Sequence, residues 1–402
     1  MTPGPLPTQE TATPPAPPRP TARRRWRRWV LAVALLAVVG FVTARIRIRN
    51  YDIWLGDYFH WLVTPPEPVA GTTHVFFLHC DHFEPGKDFA LTHRWAEAWS
   101  KLAERHRLHG RTVQHTWFYP CEKPFDENLT VIKDLVTKGY GEAELHLHHG
   151  HDTYGSLDKK LEDGVAWFQK FGFLKTVDGE TRFAFIHGNW GLDNGRGEQF
   201  CGVSREISLL KKHGCYALYD FPALWHESQP KWINRIYEVT DDDGPKSYDN
   251  YYPLTPGHPG GDLTMIEGPL LLVPIANPLR LFVEVEDGNI HAHGFATPER
   301  VDRWVKANVH VPGRPEWVFV KVHSHGATSA GDVEATVGDD LDRALTYMES
   351  RYDDGVRYRL HYVTAREAYN LIRAAADGQQ GDPEKFLDYL IKPYVADPPR
   401  TR

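Results

Sequence analysis

Apolar and polar residues follow two different periods along the chain from residue 73 onwards. Short apolar runs predict strands, and segments with an apolar residue every three or four positions predict helices. The predicted strands span residues 74–80, 112–119, 142–148, 182–187, 215–221, 232–239, 264–273, 317–322 and 357–363. The predicted helices span residues 91–109, 126–138, 157–173, 203–213, 299–309, 339–351 and 366–376.

The repeated alternation of strand and helix predicts an α/β fold with a largely parallel sheet, either open or closed into a barrel. About seven strand–helix units within roughly 300 residues fit a (β/α) barrel. We therefore expect a seven-stranded, incomplete (β/α) barrel over residues 73–378, followed by a C-terminal tail over residues 379–402.

The first 72 residues differ in character from this domain. Residues 1–22 are rich in Pro, Thr and Ala and predict a disordered tail. An arginine-rich stretch and then an uncharged apolar run predict a membrane anchor over residues 23–45, with residues 46–72 as a linker. A cleaved signal peptide and a buried helix are the alternatives. The anchor predicts a single-pass membrane protein with the folded domain outside the cytoplasm; with the bacterial resemblance given below, this means the inner membrane and the periplasm.

Composition limits the partners. The chain has 402 residues, 41% of them hydrophobic, and a net charge of −7. Residues 1–50 carry nine arginines and one glutamate, so the rest of the chain is acidic. An acidic domain argues against nucleic acid as a partner, because phosphate binding requires a basic surface. Four cysteines in a chain of this length do not form a disulfide scaffold.

Polar side chains follow four of the predicted strands, where ligands bind in parallel α/β folds. Because these strand ends share one edge of the sheet, we expect their side chains to converge on an active site. They are Asp81, His82 and Glu84 after the first strand, His146, His148, His149, His151 and Asp152 around the third, His187, Asn189 and Trp190 after the fourth, and His323 and His325 after a late strand.

Histidines two positions apart on a strand share a face and can reach one metal ion. A hydrolytic ion needs about three protein ligands and an open position for water. We predict a divalent ion, zinc, with ligands drawn from His82, His146, His148 and His151. Asp81 is the predicted catalytic base, and His323 or His325 the predicted acid.

The predicted substrate-binding residues are His187, Asn189, Trp190 and Glu84, with the Trp190 ring available to stack on a sugar. Simpler interpretations stand beside these. Asn189 is natural in a glycine-rich turn, and Glu84 caps a turn before Pro85.

On these motifs the chain resembles the polysaccharide deacetylases of the NodB-like superfamily, as a divergent bacterial branch. The family's first strand ends in two aspartates, a base and a metal ligand, which match Asp81 and His82. Its glutamate-led strand ending in histidines is similar to residues 142–148, and its late histidine matches His323 or His325. His82 in place of the second aspartate and Gly150 within the histidine motif depart from the family pattern.

The resemblance implies a membrane-anchored, metal-dependent hydrolase that removes N- or O-acetyl groups from a polysaccharide. The expected partners are a carbohydrate polymer, the membrane and other cell-envelope polysaccharide enzymes. Two alternatives remain. The order Asp81-His82, Gly188-Asn189 and His323-x-His325 suggests a metallophosphoesterase-like enzyme. The departures at positions 82 and 150 suggest a non-catalytic glycan-binding or assembly protein on a decayed barrel.

Overall fold

The computed structural model describes residues 1, 4, 22–254, 256–257, 260–281 and 283–398. The predicted disordered tail, residues 1–22, falls almost entirely outside this described part. The chain divides into two compact units, Met1–Arg47 and Ile48–Arg402. In the first unit, helix α1 begins at Ala22 and runs to Ile48. Its stretch 25–48 is long and apolar enough to cross a membrane, a property that a signal sequence near an N-terminus shares.

The second unit contains the predicted strand–helix alternation. Its helices are α2 (Leu55–Val63), α3 (Phe89–Arg105), α4 (Asp126–Thr137), α5 (Tyr154–Gln169), α6 (Glu206–Lys212), α7 (Pro298–Lys306), α8 (Ala330–Val337), α9 (Asp339–Tyr352) and α10 (Ala365–Ala376). Its strands are β1 (Thr73–His82), β2 (Arg107–Leu108), β3 (Arg111–Thr112), β4 (His115–Pro120), β5 (Gly141–Leu147), β6 (Phe183–His187), β7 (Cys215–Leu218), β8 (Arg235–Val239), β9 (Leu263–Glu267), β10 (Leu271–Pro274), β11 (Val283–Glu286), β12 (Asn289–Ile290), β13 (Trp317–Ser324) and β14 (Tyr358–Tyr362).

Each predicted strand and helix overlaps an observed element of the same type. Two helices, α2 and α8, were not predicted. The predicted linker over residues 46–72 contains α2 and two buried aromatic residues, Tyr51 and Trp54. In the predicted C-terminal tail, Ile391 and Tyr394 are buried. Both segments therefore bury apolar side chains.

Side-chain caps fix where several helices begin. The Asp88 carboxylate accepts a hydrogen bond from the Leu91 amide, 2.9 Å away, at the start of α3. Helix α10 begins with a capping box in which Thr364 and Glu367 each bond the other's backbone N–H. Such caps satisfy amides that have no partner inside the helix, and each typically contributes about 1 kcal/mol.

One large sheet organises the second unit, with the strand order β12-β13-β1-β4-β5-β6-β7-β9-β8. The pairings are parallel except for β8 against β9. Strand β14 pairs with the first half of β1, and β4 pairs with its last three residues. The prediction of a mixed α/β fold with a largely parallel sheet is confirmed. The predicted count of seven strands is not confirmed, since ten strands join this sheet.

Successive residues of β1 pack into two different cores, because side chains alternate between the faces of a strand. Phe76 and Leu78 belong to a cluster that includes residues of α10, and we call this side the α10 face. Val75 and Phe77 belong to a cluster that includes Trp95 of α3, and we call this side the α3 face. Both faces are covered, as parallel sheets require.

Candidate metal centre at the carboxyl ends of the strands

The site lies at the carboxyl ends of β13, β1 and β5, on the α10 face of β1. His82 ends β1, and its ring centre lies 4.9 Å from that of His146 at the end of β5. It lies 4.6 Å from the ring of His325 and 6.3 Å from the ring of His323, both at the end of β13. His148 follows two positions after His146, with its ring centre 4.6 Å away. The structure thus brings together histidines separated by more than 200 residues.

Glu84 stands at the centre of these imidazoles. Its Oε1 lies 3.3 Å from His146 Nε2 and 3.4 Å from His148 Nε2. A second possible ligand set joins the same carboxylate to His82 and His325, and within each set the ligand atoms lie within 4.8 Å of one another. We call these five residues, His82, Glu84, His146, His148 and His325, the Glu84 cluster.

His146 is oriented by a backbone carbonyl. Its Nδ1 lies 2.9 Å from the carbonyl oxygen of Ile186, so Nδ1 carries the proton and donates it. The buried Nε2 then faces Glu84 at 3.3 Å, outside hydrogen-bond geometry, and has no hydrogen-bond partner among the described residues. Two acceptor atoms at this separation repel each other unless a proton or a metal ion lies between them.

His148 is oriented in the same way by a carboxylate. Its Nδ1 lies 2.7 Å from Glu122 Oε1, and its Nε2 faces Glu84. Burial opposes a charge on His148, but the hydrogen bonds to Glu122 and Glu84 outweigh burial and raise the pKa of His148 to about 9. A carboxylate that holds the far nitrogen of a histidine is the usual outer support of a metal-ligating imidazole.

The carboxylate of Glu84 is held in its charged form. Burial alone would raise the pKa of Glu84, but the imidazoles of His146 and His148 outweigh burial and hold it far below the usual range. Its other oxygen, Oε2, lies 3.3 Å from Lys123 Nζ. Glu84 is therefore anionic at neutral pH, and it contacts the imidazoles as well as the turn before Pro85.

The remaining histidines of the cluster, the buried His82 and the half-buried His325, are neutral at neutral pH. Burial is the main cause that holds the pKa of His82 well below its ordinary value, and neighbouring imidazoles add to it. Burial likewise lowers the pKa of His325. A neutral imidazole beside a metal ion can either ligate it or accept a proton from water bound to it.

Aromatic side chains stand next to these histidines. The half-buried Trp190 stacks on His226, with ring centres 5.1 Å apart and an interplanar angle of 17°. The Trp190 ring also lies 5.9 Å from the ring of His325. Of the predicted substrate-binding residues, Trp190 is the one that places a flat apolar ring beside the Glu84 cluster.

Asp81, the predicted base, is not brought together with this cluster. It lies on the opposite face of β1 from His82, is fully buried, and accepts hydrogen bonds from Ser324 Oγ and the Gly326 amide, each at 2.7 Å. Its second oxygen lies 3.1 Å from His115 Nε2. Burial would raise the pKa of Asp81, but these hydrogen bonds and the His115 and His79 imidazoles lower it.

The other predicted site residues lie elsewhere. His151, a predicted metal ligand, is exposed, and its Nδ1 lies 3.8 Å from Glu198. Asn189 donates from its side chain to the backbone carbonyl of His149 at 3.2 Å, which is a role within a turn. His187 points to the α3 face of the sheet, where it meets His149 with ring centres 4.3 Å apart. The structure therefore does not bring these three residues to the Glu84 cluster.

Sequence patterns did not indicate two residues of the site. Glu122 lies in a turn after β4, and its position in a turn does not by itself indicate a role. His226 lies in the irregular segment between β7 and β8, which predicts no element. A signal for Glu122 did exist in its spacing, because positions 116, 118, 120 and 122 continue one face of β4.

No family model and no curated protein matches the chain. Two solved structures that match are GH57 branching enzymes from hyperthermophilic archaea. The enzyme of Thermococcus kodakaraensis is 12% identical over 71% of this chain and 69% of its own, with a TM-score of 0.33. That of Pyrococcus horikoshii is 11% identical over 72% of this chain and 69% of its own, with a TM-score of 0.34.

The resemblance to NodB-like deacetylases is wrong. No deacetylase family model matches the chain, and the structures that match are glycoside hydrolase family members instead. The motif positions that suggested it do not share a site either, since Asp81 and His82 lie on opposite faces of β1. At these TM-scores the structural likeness carries no argument about activity, so function is argued from the site itself.

Proposed function

We propose that the chain is a metal-dependent hydrolase with a divalent ion, zinc, held by Glu84, His146 and His148. One observation carries this proposal. A charged carboxylate oxygen lies 3.3 and 3.4 Å from two Nε2 atoms whose partner nitrogens are already committed to other acceptors. Bonds of about 2.0–2.1 Å in a tetrahedral zinc site put neighbouring ligand atoms about 3.3 Å apart. The two measured separations match this distance, and the three ligand atoms lie within 4.8 Å of one another. His148, whose pKa is raised to about 9, would release a proton as the ion binds.

Three protein ligands leave the fourth position for water, which is the arrangement of catalytic zinc sites. Held by Glu84, His146 and His148, the ion would lower the pKa of its bound water and would polarise the bond under attack. His82 and His325 flank the same carboxylate and are neutral, so either is placed to accept the proton. We assign this role to His325, because it is less buried than His82 and its ring lies closer to that of Trp190, at 5.9 Å against 6.3 Å.

The proposed substrate is a carbohydrate polymer that carries an acyl ester or amide, such as an acetyl group. The stacked pair of Trp190 and His226 supports this choice, because a flat aromatic surface beside a reactive site suits the apolar face of a sugar ring. Helix α1, with its apolar stretch 25–48, supports a membrane anchor that keeps the enzyme near cell-envelope polysaccharide.

A panel of substrates tests the proposal with the full-length protein in detergent. Acetate release from acetylated glycans is measured together with zinc content, before and after treatment with a chelator. We expect release that is lost on chelation and restored by zinc. A folded, zinc-loaded protein that releases no acetate from any glycan in the panel contradicts the proposed substrate class.

A second candidate, phosphodiester hydrolysis, is favoured by one observation. Glu84 belongs to two possible ligand sets, one with His146 and His148 and one with His82 and His325. A carboxylate shared in this way can bridge two ions about 3.5–4 Å apart, as in many phosphatases and nucleases. Turnover of a nitrophenyl phosphodiester without acetate release, with two ions bound at this cluster, would select this candidate.

A further inference from the structure

A second group of metal-ligating side chains lies on the α3 face of the sheet, away from the Glu84 cluster. It consists of His149 after β5, His187 at the end of β6, Cys201 in the following loop and Glu206 at the start of α6. The four side chains are buried, and one ligand atom from each lies within 4.8 Å of the others. We call this group the Glu206 cluster.

Both imidazoles of the Glu206 cluster have one nitrogen engaged by an outer acceptor. His149 Nδ1 lies 3.1 Å from Asp152 Oδ2, and His187 Nδ1 lies 3.0 Å from the Gly188 carbonyl oxygen. The Gly188 carbonyl can only accept, so His187 carries its proton on Nδ1 and its Nε2 is an acceptor that faces Glu206. His149 Nε2 lies within hydrogen-bond distance of Glu206 Oε1. This pairing of outer acceptor and inward Nε2 is the arrangement that orients histidine ligands around metal ions.

The inward nitrogens of both imidazoles face the same carboxylate oxygen. His149 Nε2 lies 3.0 Å and His187 Nε2 lies 3.8 Å from the same oxygen of Glu206. His187 Nε2 is buried and has no hydrogen-bond partner among the described residues. A buried polar atom without a partner is costly, and a metal ion at this point would satisfy it. One of these distances is shorter and the other longer than the distance of about 3.3 Å expected between neighbouring ligand atoms of a tetrahedral zinc site.

Cys201 completes the set with a sulfur placed as a metal-bound thiolate would be. Its thiol donates to Glu206 Oε2 at 3.4 Å, and a metal ion would replace this proton. Its Sγ also accepts hydrogen bonds from the backbone amides of Asn194 and Val203 at 3.3 and 3.4 Å. Backbone N–H groups aimed at a sulfur stabilise its negative charge. Nitrogen, sulfur and carboxylate donors in a four-atom set are the donor chemistry of zinc.

Two glycines let the segments approach closely enough to form the cluster. A Cβ at Gly150 would lie 2.2 Å from the Gln199 carbonyl oxygen, and one at Gly202 would lie 2.6 Å from that of Asp152. Gly202 also has a φ of +93°, which favours glycine. The Asp152 amide donates to the Cys201 carbonyl at 3.1 Å, which fixes the loop against the end of β5.

We infer that the Glu206 cluster is a structural zinc site with His149, His187, Cys201 and Glu206 as its four ligands. Four protein ligands in a buried pocket leave no position for water, so the ion holds the fold together rather than reacting. It joins the ends of β5 and β6 to α6 and the loop before it. This site is independent of the proposed function, since none of its ligands belongs to the Glu84 cluster.

Cobalt substitution of the full-length protein tests the inference, because cobalt bound to a thiolate absorbs in the near ultraviolet and cobalt bound only by nitrogen and oxygen does not. The wild type and the His148→Ala variant should both show the thiolate band. The Cys201→Ser variant should lose the band and about one metal ion per chain. Cys215→Ser, a change at another buried cysteine, is the matched control and should keep both.

The outcomes separate the two sites. A thiolate band that survives His148→Ala supports the structural site whether or not the Glu84 cluster binds metal. If Cys201→Ser does not fold, the thiolate band in wild type, His148→Ala and Cys215→Ser still shows whether a cysteine other than Cys215 binds a metal ion away from the Glu84 cluster. Cobalt-loaded wild type without a thiolate band, or with a band that Cys215→Ser removes and Cys201→Ser does not, would overturn the inference.

Discussion

Asp81 and His82 are neighbours in sequence and lie on opposite faces of β1. His82 belongs to the Glu84 cluster, whereas Asp81 binds Ser324 and the Gly326 amide on the α3 face. His325 lies between Ser324 and Gly326 in sequence, so the two hydrogen bonds to Asp81 fix the turn that contains His325. Asp81 is therefore a positioning residue for His325, and the proton-accepting role falls to an imidazole.

Replacing Asp81 by asparagine should destabilise the fold, because a buried carboxylate with three donors loses its charge and leaves donors poorly paired. We expect a loss of about 3 kcal/mol in the free energy of unfolding, measured with urea. Asp163→Asn, on the exposed surface of α5, is the control and should change stability by less than about 0.5 kcal/mol. Unchanged stability with complete loss of turnover would instead support Asp81 as the base.

His148 and His151 provide a matched pair within one short segment. His148 contacts both Glu84 and Glu122, whereas His151 is exposed. His148→Ala should weaken metal binding at the Glu84 cluster by more than about 100-fold, since loss of an outer support alone costs roughly 10- to 100-fold. His151→Ala should leave metal content and turnover unchanged. Equal losses in the two variants would show that the ligand set is wrong.

Gly188, which follows His187, leaves room for His148. A Cβ at position 188 would lie 2.3 Å from Cδ2 and 2.8 Å from Cα of His148, so Gly188→Ala must displace both that ring and its backbone. We expect metal affinity at the Glu84 cluster to fall about 10- to 100-fold, together with a loss of stability because the backbone must move. The control is Gly155→Ala, where a Cβ meets nothing within 4 Å. Isothermal titration with zinc measures both variants, and identical affinities would refute this role.

His106 should make stability depend on pH. Burial lowers the pKa of His106, but hydrogen bonds to Glu349 and Asp342, each at 3.0 Å, outweigh burial and raise it. A raised pKa in the folded state stabilises the fold below the unfolded value of about 6.5, and this stabilisation is lost as pH rises through the folded value. His106→Gln should therefore lose stability near pH 5.5 and much less near pH 9. Urea unfolding at the two pH values checks this, and an equal loss at both would contradict it.

Much of the site could be predicted from two simple rules about strands. Strand alternation and the rule that parallel strands share an edge bring His82, His146, His148 and His325 to one place, as the structure does. The same alternation puts Asp81 and His82 on opposite faces of β1, so a base and a metal ligand at these two adjacent positions do not face one site. A motif compares neighbours in sequence, whereas a strand places neighbours on opposite faces.

The Glu206 cluster lay beyond prediction for a different reason. Cys201 and Glu206 come from a loop and the first turn of α6, whose position depends on tertiary packing and on the close approach allowed by Gly150 and Gly202. Neither residue stands in a spacing typical of zinc sites. The two histidines did carry a signal: His149 is one of four histidines within six positions, and His187 ends a predicted strand.

The most direct test of the proposed catalytic centre is a crystal structure of the zinc-loaded protein, with anomalous scattering measured on both sides of the zinc absorption edge. We predict an ion within about 2.0–2.2 Å of Glu84 Oε1, His146 Nε2 and His148 Nε2, with a water molecule on its fourth side facing His325. Zinc-loaded crystals with no anomalous peak between these three atoms would contradict the account.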